Sequence, residues 1–289
     1  MRWETLGRAP EGIWDGATAV DGNTVHVTQR YTHHVWAYDL KEDKWTRLPD
    51  CPQCNTGLTM VNGLLTAVGG STSDCDATNT LVSLAESRSE WTEHFPPMPV
   101  KLYLPAVVCT GNHLLVMSVM EKIIHVMDTT SLKWFSAGSF PLHYRFGSTC
   151  SLSVCGSELY VLDSMRSVFS CSLPTLLQSS SAVQPETTDV WQRVADVPVW
   201  YSTLTTLCGQ LVAVGGHHGI RRPCSDDPPL PLNTMYQYNP STNSWQIIGH
   251  MPTARYDCLV ATLPGDALVV IGGITREGDN DFVEVAYPV

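Results

Sequence analysis

Six tryptophans in this 289-residue chain, Trp3, Trp45, Trp91, Trp134, Trp191 and Trp245, are each followed within seven residues by a proline. Their separations are 42, 46, 43, 57 and 54 residues, and the 44 residues after Trp245 join to Trp3 at a spacing of 47. A period of this length is the signature of a repeat architecture, and six units fit around a closed ring. Each unit carries a second marker, a turn residue followed by glycine: Asp21-Gly22, Asn62-Gly63, Thr110-Gly111, Cys155-Gly156, Cys208-Gly209 and Pro264-Gly265. Such pairs suit two-residue hairpins whose central residues need positive φ. Short apolar runs follow, Leu64 to Val68, Leu114 to Met117, Leu159 to Leu162, Leu211 to Val214 and Leu268 to Ile271, and read as strands buried on both faces.

Three of these runs end in a double glycine, Gly69-Gly70, Gly215-Gly216 and Gly272-Gly273. A third strand follows, clearest at Val35 to Asp39 and Met235 to Asn239, and then the tryptophan strand. Four antiparallel strands per unit and six units describe an all-β propeller, which leaves only short, protected edges. The double glycine, the pair Tyr38-Asp39 (weakened to Tyr238-Asn239) and the downstream tryptophan resemble the kelch repeat over essentially the whole chain. Units one, three and four carry Thr28-Gln29, Ser118-Val119 and Asp163-Ser164 in place of the glycines, so those blades are expected to differ where the second strand turns into the third. The expected organisation is a single kelch-type propeller over 1–289, with blades at about 8–49, 50–98, 99–141, 142–198, 199–252, and 253–289 together with 1–7. The last unit lacks a tryptophan strand, so Met1 to Leu6 is expected to close it as the outermost strand.

Composition narrows the function classes. A formal net charge of −11 disfavours nucleic acid and anionic membrane as partners. No apolar run is long enough for a membrane span, and the opening Met1-Arg2-Trp3-Glu4 does not read as a signal peptide. Several of the ten cysteines recur at one place in the repeat, inside apolar strands (Cys109, Cys150, Cys208, Cys258), the habit of buried free thiols, and a reduced, cytoplasmic protein is expected. Cys51-Pro52-Gln53-Cys54 is a single CxxC without the second pair a structural zinc site requires. No phosphate loop, zinc-protease helix or nucleophile elbow occurs, so no metal, cofactor or catalytic residue is expected.

In propellers resembling this one, the loops entering each blade and those joining its second and third strands ring the channel on one face. Counting from each proline, one residue per blade is expected there: Trp14, Asn55, Tyr103, Arg145, Tyr201 and Arg255. The second set of loops adds Arg30, Tyr31, His33, Arg166, His217, His218, Arg221, Arg222 and Arg276. With Lys101, eight of the 17 lysines and arginines fall on this face, which points to an acidic ligand. Aromatics supply contact area and arginine pairs bidentately with carboxylates. Two insertions break the period. Ser172 to Thr188 reads as a flexible loop on the opposite face, and His217 to Pro231 as a proline-stiffened wall on the binding face.

The resemblance implies a non-catalytic module that binds a protein or peptide, as kelch propellers do when they serve as substrate adaptors of cullin-type ubiquitin ligases within larger multidomain proteins. In the expected mechanism, Arg145 and Arg255 pair with carboxylates of an extended acidic segment while Tyr103, Tyr201 and Trp14 pack its apolar atoms. The alternatives are a scaffold that binds through the outer blade edges, and a sugar epimerase using Arg145, Arg255 and Glu121.

Overall fold

The computed structural model describes residues 1–85, 87–118, 121, 123–139, 150–163, 166–178, 190–219 and 229–288. These form six four-stranded antiparallel sheets arranged as blades around a channel. Blade 1 is Ala17–Asp21, Thr24–Thr28, Val35–Asp39 and Lys44–Leu48, from the channel outwards. Blade 2 is Gly57–Val61, Leu64–Val68, Leu81–Leu84 and Trp91–Thr92. Blade 3 is Ala106–Thr110, His113–Met117, Ile123–Asp128 and Lys133–Ser139. Blade 4 is Cys150–Cys155, Glu158–Asp163, Val168–Ser172 and Gln192–Val194. Blade 5 is Thr203–Leu207, Gln210–Val214, Thr234–Asn239 and Ser244–His250. Blade 6 is Leu259–Leu263, Ala267–Ile271 and Val283–Tyr287, completed by the N-terminal strand Arg2–Thr5.

Each second strand is an apolar run because a neighbouring blade covers both of its faces. Ala267–Ile271 is buried at every position. The core is accordingly split into six hydrophobic clusters, one at each blade interface. The recurring Trp…Pro pattern has a bonding reason. The Trp91 indole donates to Pro49 O at 2.9 Å, Trp134 to Pro96 O at 3.0 Å and Trp245 to Ala195 O at 2.7 Å, each reaching the preceding blade. The tyrosine of the repeat packs on that tryptophan, with ring centroids 4.8 Å apart for Tyr38–Trp45 and 5.3 Å for Tyr238–Trp245.

The double glycines also work between blades. The N–H of Gly70 donates to Leu102 O, that of Gly216 to Arg255 O and that of Gly273 to Ile13 O, always in the next blade. At Gly272, φ is +62° and a Cβ would lie 1.9 Å from Ile13 O, so only glycine fits.

The expected loop beginning at Ser172 is corrected in part. Ser172 ends a strand, and Leu173–Gln178 forms a short helix that buries Leu173 and Leu176 beside Trp191 in the blade 3–4 core. Apolar burial orders this segment; the rest of that insertion lies outside the described residues. Among the described residues, no helix is long and apolar enough to cross a membrane.

His26 departs from the core pattern. In blades 3 to 6 the matching second-strand position holds Leu115, Tyr160, Val212 and Val269, all buried in interface clusters. His26 is 1% exposed, and neither ring nitrogen has a hydrogen-bond partner. Burial, with Arg88 nearby, pulls its pKa down to about 4. The unfolded chain therefore binds this proton more readily, and the associated stability is full above pH 6.5 and lost as pH falls toward 4. Urea unfolding should show about 2 kcal/mol less stability at pH 5 than at pH 7 from this residue. His26→Leu should remove that part of the acid sensitivity; an unchanged pH profile in the variant would exclude the assignment.

Candidate functional site

The innermost strands enclose a channel cavity of about 720 Å³ that runs to the loop face. One structural position recurs at its mouth. Two residues before the innermost strand, the backbone turns left-handed at Asp15 (φ 46°), Asn55 (54°), Leu104 (50°), Tyr201 (54°) and Asp257 (51°). All five line the cavity. Backbone bonds carry the ring from blade to blade: Asp257 N–H donates to Tyr201 O at 3.2 Å, and Asp15 N–H to Asp257 O at 3.1 Å.

This ring revises the one expected from the prolines. Asn55 and Tyr201 occupy the position, Trp14 and Tyr103 stand one residue before it, and Arg255 stands two before. Sequence counting drifts because the loop between each proline and its innermost strand varies in length. Counting back six or seven residues from the hairpin marker would have found Asp15, Leu104 and Asp257.

The largest correction concerns Arg255. Its side chain is 0% exposed, and its Nη2 lies 2.7 Å from Glu284 Oε2, itself 1% exposed. Nη1 donates to Gly272 O at 2.9 Å and to Phe282 O at 3.2 Å. Arg255 therefore belongs to the framework and presents no charge to a partner. Arg30 is likewise engaged, in an ion pair with Asp15. Its guanidinium also sits 5.0 Å over the Tyr31 ring. Arg145, Arg221 and Arg222 lie outside the described residues. The charged side chains lining the described cavity are Asp15, Asp163, Asp257 and Arg30, so the cationic mouth expected from the sequence is not what these residues form.

Aromatic residues give the mouth its contact surface. Tyr31 is 62% exposed at φ 63°, and Asn55 Oδ1 accepts its backbone N–H at 2.9 Å. Asn55 is itself buried and donates to Ser71 Oγ at 3.1 Å, so it holds Tyr31 in place rather than facing a ligand. Tyr201 is 38% exposed and stacks on the buried His217 with centroids 5.3 Å apart. Tyr256 meets both rings edge-on, at 6.5 Å and 5.1 Å. Trp14 and Tyr103 are half-buried beside this surface, and Arg166 lies 5.0 Å over the Trp200 ring. His217–His218 pairs with Leu230–Pro231 as a small ribbon at the base of the expected wall.

Asp257 stands apart chemically. It lines the cavity, and among the described residues no hydrogen bond or ion pair engages its side chain. Crowding by protein, reinforced by the Asp15 carboxylate and opposed by Arg30, pushes its pKa up to about 8. Cys51 of the CxxC is buried, which pushes its thiol up to about 12, far from a reactive thiolate.

A sequence-family model described as "Kelch motif" matches residues 20–52 and 201–252. The chain is 31% identical over 90 residues to Kelch repeat and BTB domain-containing protein 12 of Danio rerio, covering 30% of this chain and 14% of that protein. It is 35% identical over 94 residues to Kelch-like protein 35 of Mus musculus, covering 32% and 15%. It is 30% identical over 101 residues to N-acetylneuraminate epimerase of Yersinia enterocolitica, covering 33% and 25%. The matched part is thus about a seventh of the two kelch proteins and a quarter of the epimerase. The solved structure of YjhT superposes with a TM-score of 0.71 over 97% of this chain and 98% of its own, at 15% identity, which speaks to fold alone.

Proposed function

Because this chain is a kelch-repeat β-propeller, we propose that it is a non-catalytic interaction module that binds a protein segment over the channel mouth. The observation that carries this reading is the pair of exposed tyrosines held at positive φ. A bulky residue in that conformation costs of order 1 kcal/mol, and such strain collects at binding sites. Tyr31 and Tyr201 both accept it while exposing their rings on the ligand face. A role as a substrate adaptor in ubiquitin ligation, within a longer cytoplasmic protein, fits the match to a relative named for kelch repeats and a BTB domain. The acidic partner expected from the sequence draws no support from Arg255 or Arg30, which are already paired.

A double variant tests the reading. Tyr31→Gly with Tyr201→Gly removes both rings and relieves both strained backbones, so its stability should match or exceed wild type by about 1 kcal/mol. Affinity capture from the source cells, run in parallel, should lose the specific partners of the wild type. Partners retained by the folded variant would move the site to the blade edges, where Ile247 on the outermost strand of blade 5 is 59% exposed. An epimerase site built on Arg255 is disfavoured, because that guanidinium is sealed against Glu284.

A further inference from the structure

The geometry points to a cation-recognition site at the mouth between blades 5, 6 and 1, where the guanidinium or ammonium of a partner's arginine or lysine lies against the Tyr201 ring beside the Asp257 carboxylate. This deepens the proposed use of the mouth and rests on it. Asp257 and Tyr201 are joined by a 3.2 Å backbone bond, and both line the 720 Å³ cavity, so one ligand group can touch both. Among the described residues no donor engages the Asp257 side chain, whereas its neighbour Asp15 is held by Arg30. A buried acceptor without a donor is costly, and a ligand that brings several N–H groups satisfies it. Once Asp257 ionises, near pH 8, the lining charge complements such a ligand, with three aspartates against one arginine. The stack of Tyr201 on His217 fixes an aromatic surface in the cavity lining that also holds Asp257, the combination that suits a guanidinium.

The proton is the competing cation. Asp15 and Arg30 of blade 1, Tyr201 and His217 of blade 5, and Tyr256 and Cys258 of its own blade surround Asp257. Because Asp257 is protonated below about pH 8, ligand binding must displace that proton.

The full chain, carrying ¹³C-carboxyl aspartate and labelled tyrosine, should be titrated with N-acetyl-arginine N-methylamide and its lysine and glutamate counterparts, followed by NMR. The arginine probe should move the Asp257 and Tyr201 resonances, and its affinity should tighten up to about tenfold per pH unit between pH 6 and pH 8, then level off. Asp257→Asn, an isosteric change expected to melt no lower than wild type, should abolish the response. Silence at both residues with the arginine and lysine probes, an unchanged response in Asp257→Asn, or a stronger response to the glutamate probe would each overturn the site. Partner capture lost in the Tyr31/Tyr201 variant but intact in Asp257→Asn would refute the cation site while leaving the docking face in place.

Discussion

Removing residues 1–7 should lower the melting temperature by about 10–20 °C, with loss of a single cooperative transition. The excised strand Arg2–Thr5 pairs with Val283–Tyr287 in the register Arg2↔Tyr287 to Thr5↔Glu284, and Leu6 N–H adds a bond to Val283 O. Four or five hydrogen bonds at roughly 1 kcal/mol each are lost. Trp3 also leaves the blade 5–6 cluster that contains Val212, Leu268 and Val270, and burying such a side chain stabilises by a further ~2 kcal/mol. Against a total stability of about 5–15 kcal/mol this is a large share, and it falls where the ring is closed by pairing alone. The register offers a rescue. Because Arg2 faces Tyr287, appending residues 1–7 after Val289 through a short turn would make the fourth strand a hairpin, as in blades 1, 3 and 5. That permuted chain should melt like wild type. A truncated protein that already does so would show that the closing strand is dispensable.

The propeller was legible in the sequence because its markers are local and recur where one blade bonds to the next. Trp91, Trp134 and Trp245 reach a carbonyl of the preceding blade, and Gly70, Gly216 and Gly273 reach one in the next. A marker repeated six times, at spacings of 42 to 57 residues, survives several poor copies, as the units without double glycine show. The mouth was less legible because its residues are set by loops of unequal length. Leu104 and Asp257 take their places by backbone conformation, which proline spacing does not record. Charge misled for a different reason: an arginine reads alike whether it faces solvent or a buried carboxylate. The available warning lay on the other partner. Glu284 stands alone in the apolar run Phe282 to Tyr287, and a carboxylate inside a strand covered on both faces requires a buried cation.

Arg255→Ala should therefore cost about 3–5 kcal/mol, because it leaves Glu284 buried and charged without a partner. Burial pulls the Arg255 pKa down, and Glu284 is the main influence that opposes it. Thr253 completes the arrangement by donating its hydroxyl and its backbone N–H to the Glu284 carboxylate. Arg255→Lys should recover only part of the loss, since one ammonium cannot meet Glu284, Gly272 O and Phe282 O with the geometry of a planar fork. Replacing both Arg255 and Glu284 by methionine should lie closer to wild type than Arg255→Ala, because it removes the stranded charge and leaves only neutral groups unbonded, the Gly272 and Phe282 carbonyls and the Thr253 donors. Urea unfolding of the three variants at neutral pH measures this ordering, and Arg255→Ala within ~1 kcal/mol of wild type would contradict it. The same bonds reach the mouth. Arg255 N–H donates to Leu232 O and its carbonyl accepts from Gly216, which fixes the loop two residues before Asp257. Loss of binding in an Arg255 variant would thus report a loosened loop rather than a missing contact, whereas Asp257→Asn and the tyrosine pair leave the framework intact and report on the mouth itself.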